Sequence, residues 1–232
     1  MKTNTAVKEY EGNSKVIYIN DFRLKSKPVY EFFKRFFDIF CSALSVIILS
    51  PVFLIVALMI KLDDGGNVFF AQERVGKHGK IIHVYKFRSM KMNADSLENT
   101  LTPEELEAYK REYKLDNDPR ITKVGKFLRN TSIDELPQLI SILKGDMSIV
   151  GPRPILQDEM NENYSEYQAS VLKSVKPGLT GYWQAYARNN VGYENFARQK
   201  MELTYCRKRS MMFDVKIIFK TFKTVLMRDG AK

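Results

Sequence analysis

IFCSALSVIILSPVFLIVALMI, residues 39–60, is a run of 22 residues without a charge. As a helix it measures about 33 Å at roughly 1.5 Å per residue, enough to cross a hydrocarbon core. Ser50-Pro51 falls in its middle. Proline removes a helical hydrogen bond and kinks the chain there, and the Ser50 hydroxyl can satisfy a freed backbone group. Basic residues flank the run on both sides, Lys25, Lys27, Lys34 and Arg35 before it and Lys61, Arg74, Lys77 and Lys80 after it, so both ends suit the cytoplasmic face. Two topologies fit: a kinked span, or a re-entrant hairpin that enters and leaves on one face. The run starts too late and is too long for a cleaved signal peptide.

Upstream, residues 1–29 are polar and charged and read as a tail, with one alternating run at Val16–Ile19 suited to a strand. Downstream, Val68–Phe70 and Ile81–Phe87 read as strands around a turn at Gly76–Gly79, a small β-hairpin. Thr102-Pro103-Glu104-Glu105 is a helix start: threonine caps, proline suits the first turn, and two acids meet the positive dipole end. That helix is expected to reach about Lys114. Asp116–Arg120 breaks it and Ile121–Leu128 begins another element. A helix over about 155–173 leads to the turn Lys176-Pro177-Gly178, and further helices cover about 194–208 and 212–227. In the last, Val215, Ile218, Phe219, Phe222, Val225 and Leu226 share one face, suited either to lying on a membrane or to packing on the core.

The chain carries 37 Lys and Arg against 27 Asp and Glu, a net charge of +10 that favours an anionic partner. Its two cysteines, Cys41 and Cys206, make no disulfide framework and no paired metal spacing. Its two histidines, His78 and His83, lie in no hydrolase elbow or zinc-peptidase motif. Carboxylates are therefore the better catalytic candidates. Within RNTSIDELPQLISILKGDMSIVGPRP, residues 129–154, the adjacent acids Asp134 and Glu135 lie between Arg129 and Arg153. A carboxylate can attack phosphorus or hold a divalent metal, and the arginine fork matches phosphate oxygens, so the grouping suits phosphoryl chemistry.

Alone, the acid pair reads as a helix cap: Asp134 caps a helix with Pro137 in its first turn and Gly145 at its end, and Ser132 with Glu135 fits a capping box. A helix start also lowers a carboxylate's pKa and attracts phosphate, so capping and catalysis are compatible. Lys86-Phe87-Arg88 adds a basic cluster that equally fits a solvated strand edge. Asp118-Pro119-Arg120 fits a turn, and Lys176-Pro177-Gly178-Leu179-Thr180-Gly181 fits a tight turn whose backbone is able to approach a ligand. Arg188 and Asn189 follow at a distance suited to phosphate or sugar.

From about Tyr30 to Arg228 the chain resembles the bacterial sugar transferases, the monotopic phosphoglycosyl transferases that start lipid-linked glycan assembly. The resemblance is carried by Lys34-Arg35-x-x-Asp38, Ser50-Pro51, Tyr85-Lys86-Phe87-Arg88-Ser89-Met90, Asp118-x-Arg120-Ile121-Thr122, Leu128-Arg129, Asp134-Glu135-Leu136-Pro137-Gln138, Lys144-Gly145-Asp146-Met147-Ser148, Gly151-Pro152-Arg153-Pro154 and the 176–181 turn. It implies transfer of a sugar 1-phosphate from a UDP-sugar to undecaprenyl phosphate, with Mg2+ required and UMP released, as the first membrane step of exopolysaccharide, capsule or other glycan synthesis. Asp134 is then the nucleophile, forming a phosphosugar-aspartyl intermediate, and Glu135 helps hold the metal. Lys86, Arg88, Arg120, Arg129, Arg153 and Arg188 become the substrate-binding candidates. Ser141 stands where the family commonly has Asn, and Ala187 where Gly is common.

The resemblance also favours the re-entrant topology, with the bend at Ser50-Pro51. The expected fold is α+β and mainly helical. It comprises a polar tail (1–29), a membrane-inserted helix (30–61), and a cytoplasmic catalytic domain (62–232) with a small β-hairpin and amphipathic interfacial helices. The implied location is the bacterial inner membrane, on the anionic cytoplasmic leaflet. The tail is not expected to form the multi-helix membrane extension of larger relatives. The competing reading is a non-catalytic basic membrane-surface scaffold of an envelope assembly. Nucleic-acid binding has only net charge in its favour, because the aromatics are not interleaved with basic residues in a binding motif.

Overall fold

The computed structural model describes residues 24, 26–94, 96–112, 115, 118–187 and 191–226. The Val16–Ile19 strand and Arg188 lie outside these residues. In chain order the helices are α1 (Pro28–Ile48), α2 (Ser50–Asp64), α3 (Leu97–Thr100), α4 (Pro103–Glu112), α5 (Lys123–Asn130), α6 (Gln138–Lys144), α7 (Gln157–Asn163), α8 (Glu166–Lys173), α9 (Tyr182–Tyr186), α10 (Ala197–Lys208) and α11 (Met211–Leu226). The strands are β1 (Phe69–Val75), β2 (Ile81–Phe87), β3 (Ser148–Val150) and β4 (Gly178–Thr180). The protein is mainly helical with a small antiparallel hairpin, the α+β class read from the sequence.

Among the described helices none alone is long and apolar enough to cross a membrane; α1 and α2 meet that test only together, bent by 61°. The break is at Leu49, and Ser50 Oγ donates to the Ile47 carbonyl at 2.8 Å, as a hydroxyl beside a proline is expected to do. The polarity of α1 is inside out. Its buried residues are Asp38 and Ser42, while Phe32, Phe36, Phe40 and Ile47 are exposed. A helix on a water-soluble core buries its apolar stripe; α1 instead leaves its phenylalanines exposed and turns Asp38 and Ser42 inward. On α2 the split is mixed: Val56 and Ile60 are buried, and Leu54, Leu58 and Leu62 face outward.

The charged residues of α1 bind it to the rest of the chain. Arg35 donates to the Ile142 and Leu143 carbonyls at 2.6 and 2.9 Å, satisfying backbone acceptors at the end of α6. Asp38 accepts from Ser148 Oγ and the Ile149 amide at 3.0 and 2.9 Å. Lys34 pairs with Asp214 at 2.7 Å.

β1 and β2 pair from Phe69 opposite Phe87 to Val75 opposite Ile81. β1 is longer than the sequence reading allowed because its second half, Gln72-Glu73-Arg74, is polar yet alternates between faces as a strand requires. β3 and β4 form a second, parallel pair, too short to read from propensity. The segment expected as one helix over 155–173 is two, because Ser165 starts α8 with a capping box to Gln168. Thr102 and Glu105 form the box that starts α4.

Three apolar clusters hold the site. One joins Val75, Val150, Ile155, Met160, Val171, Leu203 and Ile217 beneath α7, α8, α10 and α11. A second packs Ile82 and Val84 of β2 on Leu139, Ile142 and Met147. A third joins Val56 and Ile60 of α2 to Phe87 and Leu128, with Ile133 and Leu136 against it. The chain between α5 and α6 is thus gripped by apolar residues on either side of Asp134 and Glu135. On α11, Phe213, Ile217 and Ile218 pack on the core while Met212, Val215, Phe219 and Phe222 are exposed, so the helix carries apolar residues on both sides.

Candidate active site

Asp134 and Glu135 lie in a 3-10 turn (Ile133–Glu135), and α6 starts only at Gln138. The sequence reading placed Asp134 as the cap of α6 and Ser132 in a capping box; neither α6 nor the 3-10 turn has a side-chain cap. The reason is local. Ser132 adopts the left-handed region (φ 56°), uncommon for a residue with a Cβ and a recurrent mark of functional turns. Its side chain is therefore turned out of capping geometry, and the acids are set apart from helix α6. Asp134 is only 7% exposed.

Cations converge on this pair from two elements, β2 and α5. Lys86 of β2 places Nζ 3.9 Å from Glu135 Oε1. Burial pulls the Lys86 ammonium below its ordinary value, Glu135 and Asp134 pull it back up, and Arg153 and Arg74 press it down again. Arg129, at the end of α5, donates from Nε to Ser89 Oγ at 2.9 Å. Burial lowers its pKa, with Asp134 and Glu135 among the charges opposing the shift. The Thr122 side chain caps α5 by accepting from the Gly125 amide at 2.9 Å, and a Cβ on Gly125 would collide with the Ser89 backbone. Close packing of α5 on the end of β2 therefore brings Arg129 and Lys86 to the same acids.

Arg153 stands in the Gly151-Pro152-Arg153-Pro154 loop. Backbone bonds from Gly151 N–H to the Thr180 carbonyl (2.9 Å) and from Gly178 N–H to the Pro152 carbonyl (2.8 Å) hold that loop against β4. Side chains on Gly151, Gly178 or Gly181 would strike the facing backbone. The glycines of the 176–181 turn, read from sequence as a possible approach to a ligand, thus serve an approach of backbone to backbone. The Arg153 guanidinium lies 5.7 Å from the centre of the Trp183 ring, and Arg198 lies 4.3 Å from the same ring.

The remaining candidates fall elsewhere. Arg120 is buried and clamped to Asp118, Nε to Oδ1 at 2.8 Å and Nη2 to Oδ2 at 2.6 Å, with its backbone amide on the same carboxylate. Arg88 pairs with Asp64 at the end of α2. Ser141 joins β2 to α6, its hydroxyl donating to the His83 carbonyl at 3.2 Å and accepting from the Tyr85 amide at 3.4 Å. Sequence reasoning missed Arg74, which it counted only as a flanking charge. Arg74 pairs with Glu159 at 3.5 Å, and burial together with neighbouring Arg153 pulls it down to about 10. Its inward register on an alternating strand was the available signal. Arg198, Glu159 and Trp183 carried none.

Among the described residues no cluster of three or more His, Cys, Asp or Glu side chains is gathered for a metal. Asp134 and Glu135 are hard oxygen donors, the one or two carboxylates that Mg2+ takes when substrate phosphates and water complete its shell. The arrangement is a buried carboxylate, Asp134, beside the half-buried Glu135 and facing basic side chains, a grouping whose chemistry suits nucleophilic displacement at an anionic phosphorus centre.

Comparison with known proteins agrees with that chemistry. Residues 29–228 match the family model of the bacterial sugar transferases. Over 204 residues, 86% of this chain, it is 47% identical to an undecaprenyl-phosphate galactose phosphotransferase of Salmonella typhimurium, covering 42% of that protein. It is 44% identical over 197 residues to the UDP-glucose:undecaprenyl-phosphate glucose-1-phosphate transferase of Escherichia coli, covering 81% of this chain and 39% of that one. Identity to the exopolysaccharide production protein ExoY of Rhizobium meliloti is 38% over 208 residues, with 88% of this chain and 90% of that protein covered. The chain thus spans less than half of the first two relatives and nearly all of the third. The chain belongs to the bacterial sugar transferase family.

Proposed function

We propose that this chain transfers a sugar 1-phosphate from a UDP-sugar to undecaprenyl phosphate at the cytoplasmic face of a bacterial inner membrane, releasing UMP. The single observation that carries the reading is the buried Asp134, joined to Glu135 and facing Lys86 and Arg129, on a body whose first helix turns phenylalanines outward.

Asp134 attacks the sugar-bearing phosphorus of the donor, and the bond from that phosphorus to the bridging oxygen breaks. UMP leaves with that oxygen, and the sugar phosphate remains on the aspartate. A phosphate oxygen of undecaprenyl phosphate then attacks the same phosphorus, displaces the carboxylate, and yields a polyprenyl diphosphate sugar. Lys86, Arg129 and Arg153 bind the phosphate oxygens and offset the repulsion between anionic nucleophile and anionic donor. Glu135 would hold Mg2+, which would supply charge neutralisation at the transferring phosphate.

In this reading α1 and α2 form a re-entrant hairpin in the cytoplasmic leaflet, and the exposed apolar face of α11 lies at the interface. That geometry brings a lipid phosphate and a soluble nucleotide sugar to one place. The pathway served is exopolysaccharide synthesis, a reading supported by the name of the Rhizobium meliloti relative. Purified protein supplied with Mg2+, undecaprenyl phosphate and a panel of UDP-sugars is expected to release UMP with at least one donor. A non-catalytic scaffold would bind anionic vesicles and release none.

A further inference from the structure

Pro152 and Pro154 have no amide hydrogen, so Arg153 carries the sole backbone donor of residues 152–154. That donor reaches Glu202 of α10: Arg153 N–H to Oε2, 3.2 Å, across 49 residues of sequence. Glu202 is only 2% exposed. The opposite edge of the loop is tied to β4 through the Pro152 carbonyl, so these two bonds together set where the Arg153 Cα stands. Beyond it, Arg198 is enclosed between Trp183 (4.3 Å) and Tyr193 (4.1 Å) and paired with Glu159 at 2.9 Å. Arg153 shares the Trp183 ring. The arginine assigned to the donor's phosphate is therefore set by a buried frame on α7, α9 and α10.

We infer that Glu202 is a positioning residue of the transferase reaction, acting through the Arg153 backbone to aim its guanidinium at the donor diphosphate. This rests on the function proposed above. Burial also pushes the Glu202 carboxyl up to about 7, against the opposing pull of Arg198 and Arg153 and with Glu159 adding to the rise. Near neutrality the group is thus able to accept from Arg153 without placing a full negative charge beside it.

The test is a double-mutant cycle on the full chain, with UDP plus Mg2+ as the binding probe and UMP release for KM and kcat. Glu202→Met removes the acceptor at similar volume and is expected to weaken UDP binding and raise donor KM about tenfold. Glu202→Gln, which keeps an acceptor oxygen, is expected to restore affinity to within about threefold, and Glu202→Asp, one methylene shorter, to fall between. In an Arg153→Ala background, Glu202→Met is expected to change UDP affinity by less than about twofold. An equal loss in both backgrounds would show that Glu202 acts on the fold at large and overturn the inference while leaving the function intact. Full UDP affinity in folded Glu202→Met would overturn it as well. A wild-type chain that binds no UDP and releases no UMP from any donor would remove the function, and this inference with it.

Discussion

Ser148 donates its hydroxyl to Asp38 Oδ1 at 3.0 Å, joining the first apolar helix to the strand that leads into the Arg153 loop. Asp38 is 4% exposed and also accepts from the Ile149 amide. Replacing it with Leu leaves two buried donors without an acceptor, a loss of about 2–4 kcal/mol. Asp38→Asn keeps one acceptor oxygen and is expected to lose less than half as much. Thermal unfolding in detergent, with the two variants side by side, measures the difference.

The parallel β3–β4 pair depends on glycine at its crossing. A methyl at Gly178 would collide with the Gly151 nitrogen and with the Thr180 carbonyl. Gly178→Ala is expected to cost about 3 kcal/mol, since both obstacles are backbone and neither can rotate aside. Gly65→Ala, with open space around it but a φ of 72°, is the milder control at about 1 kcal/mol. Denaturation midpoints of the two proteins test the order.

Glu202 makes stability depend on pH in a definite direction. Unfolded, the group loses its proton near its ordinary value of 4.5; folded, it keeps it until about 7. Between those values the native chain binds more protons, so this group's contribution falls as pH rises through the window, by about 3 kcal/mol in all, and is level above it. Glu159 acts the other way. Burial works against its charge, but Arg198 and Arg153 hold it below its ordinary value, so its contribution is lost on acidification. Subtracting the stability curve of Glu202→Gln from that of wild type isolates the first effect, and a flat difference from pH 4.5 to 7 would exclude it.

Labelling tests the hairpin. Single cysteines at Thr5 and Lys232, with Cys41 and Cys206 replaced, are both expected to be protected from an impermeant maleimide in intact cells. Opposite exposure of the two ends would establish a span.

The elements legible in the sequence were those with strong local chemistry. The Thr102-Pro103 start, the hairpin turn at Gly76–Gly79 and the Ser50-Pro51 break each follow from one or two residues with restricted backbone choices. The lack of a cap at Asp134 was not legible, because a left-handed backbone at Ser132 is uncommon for a residue with a Cβ and nothing in serine itself signals it. β3 and β4 were illegible for a related reason: three-residue strands carry little propensity, and only the facing glycines 151, 178 and 181 reveal the pairing. Among the candidate site residues, the grouping of Lys86 and Arg129 with Asp134 and Glu135 was legible from charge and spacing joined to family resemblance. Arg198, Glu159, Glu202 and Trp183 were not, since long-range folding alone brings α7, α9 and α10 beneath one loop. Nor did the motif Lys34-Arg35-x-x-Asp38 disclose that each of its charges fastens α1 to a different element.

The covalent role of Asp134 is tested most directly without the lipid acceptor. Protein incubated with Mg2+ and an accepted UDP-sugar, and no undecaprenyl phosphate, is expected to release UMP in a burst approaching one equivalent per active site. The peptide containing Asp134 should gain the mass of the sugar phosphate, and Asp134→Asn should show neither. An Asp134→Asn protein that turns over at the wild-type rate, or a wild-type protein that releases UMP only when the acceptor is present and never carries the adduct, would contradict the account.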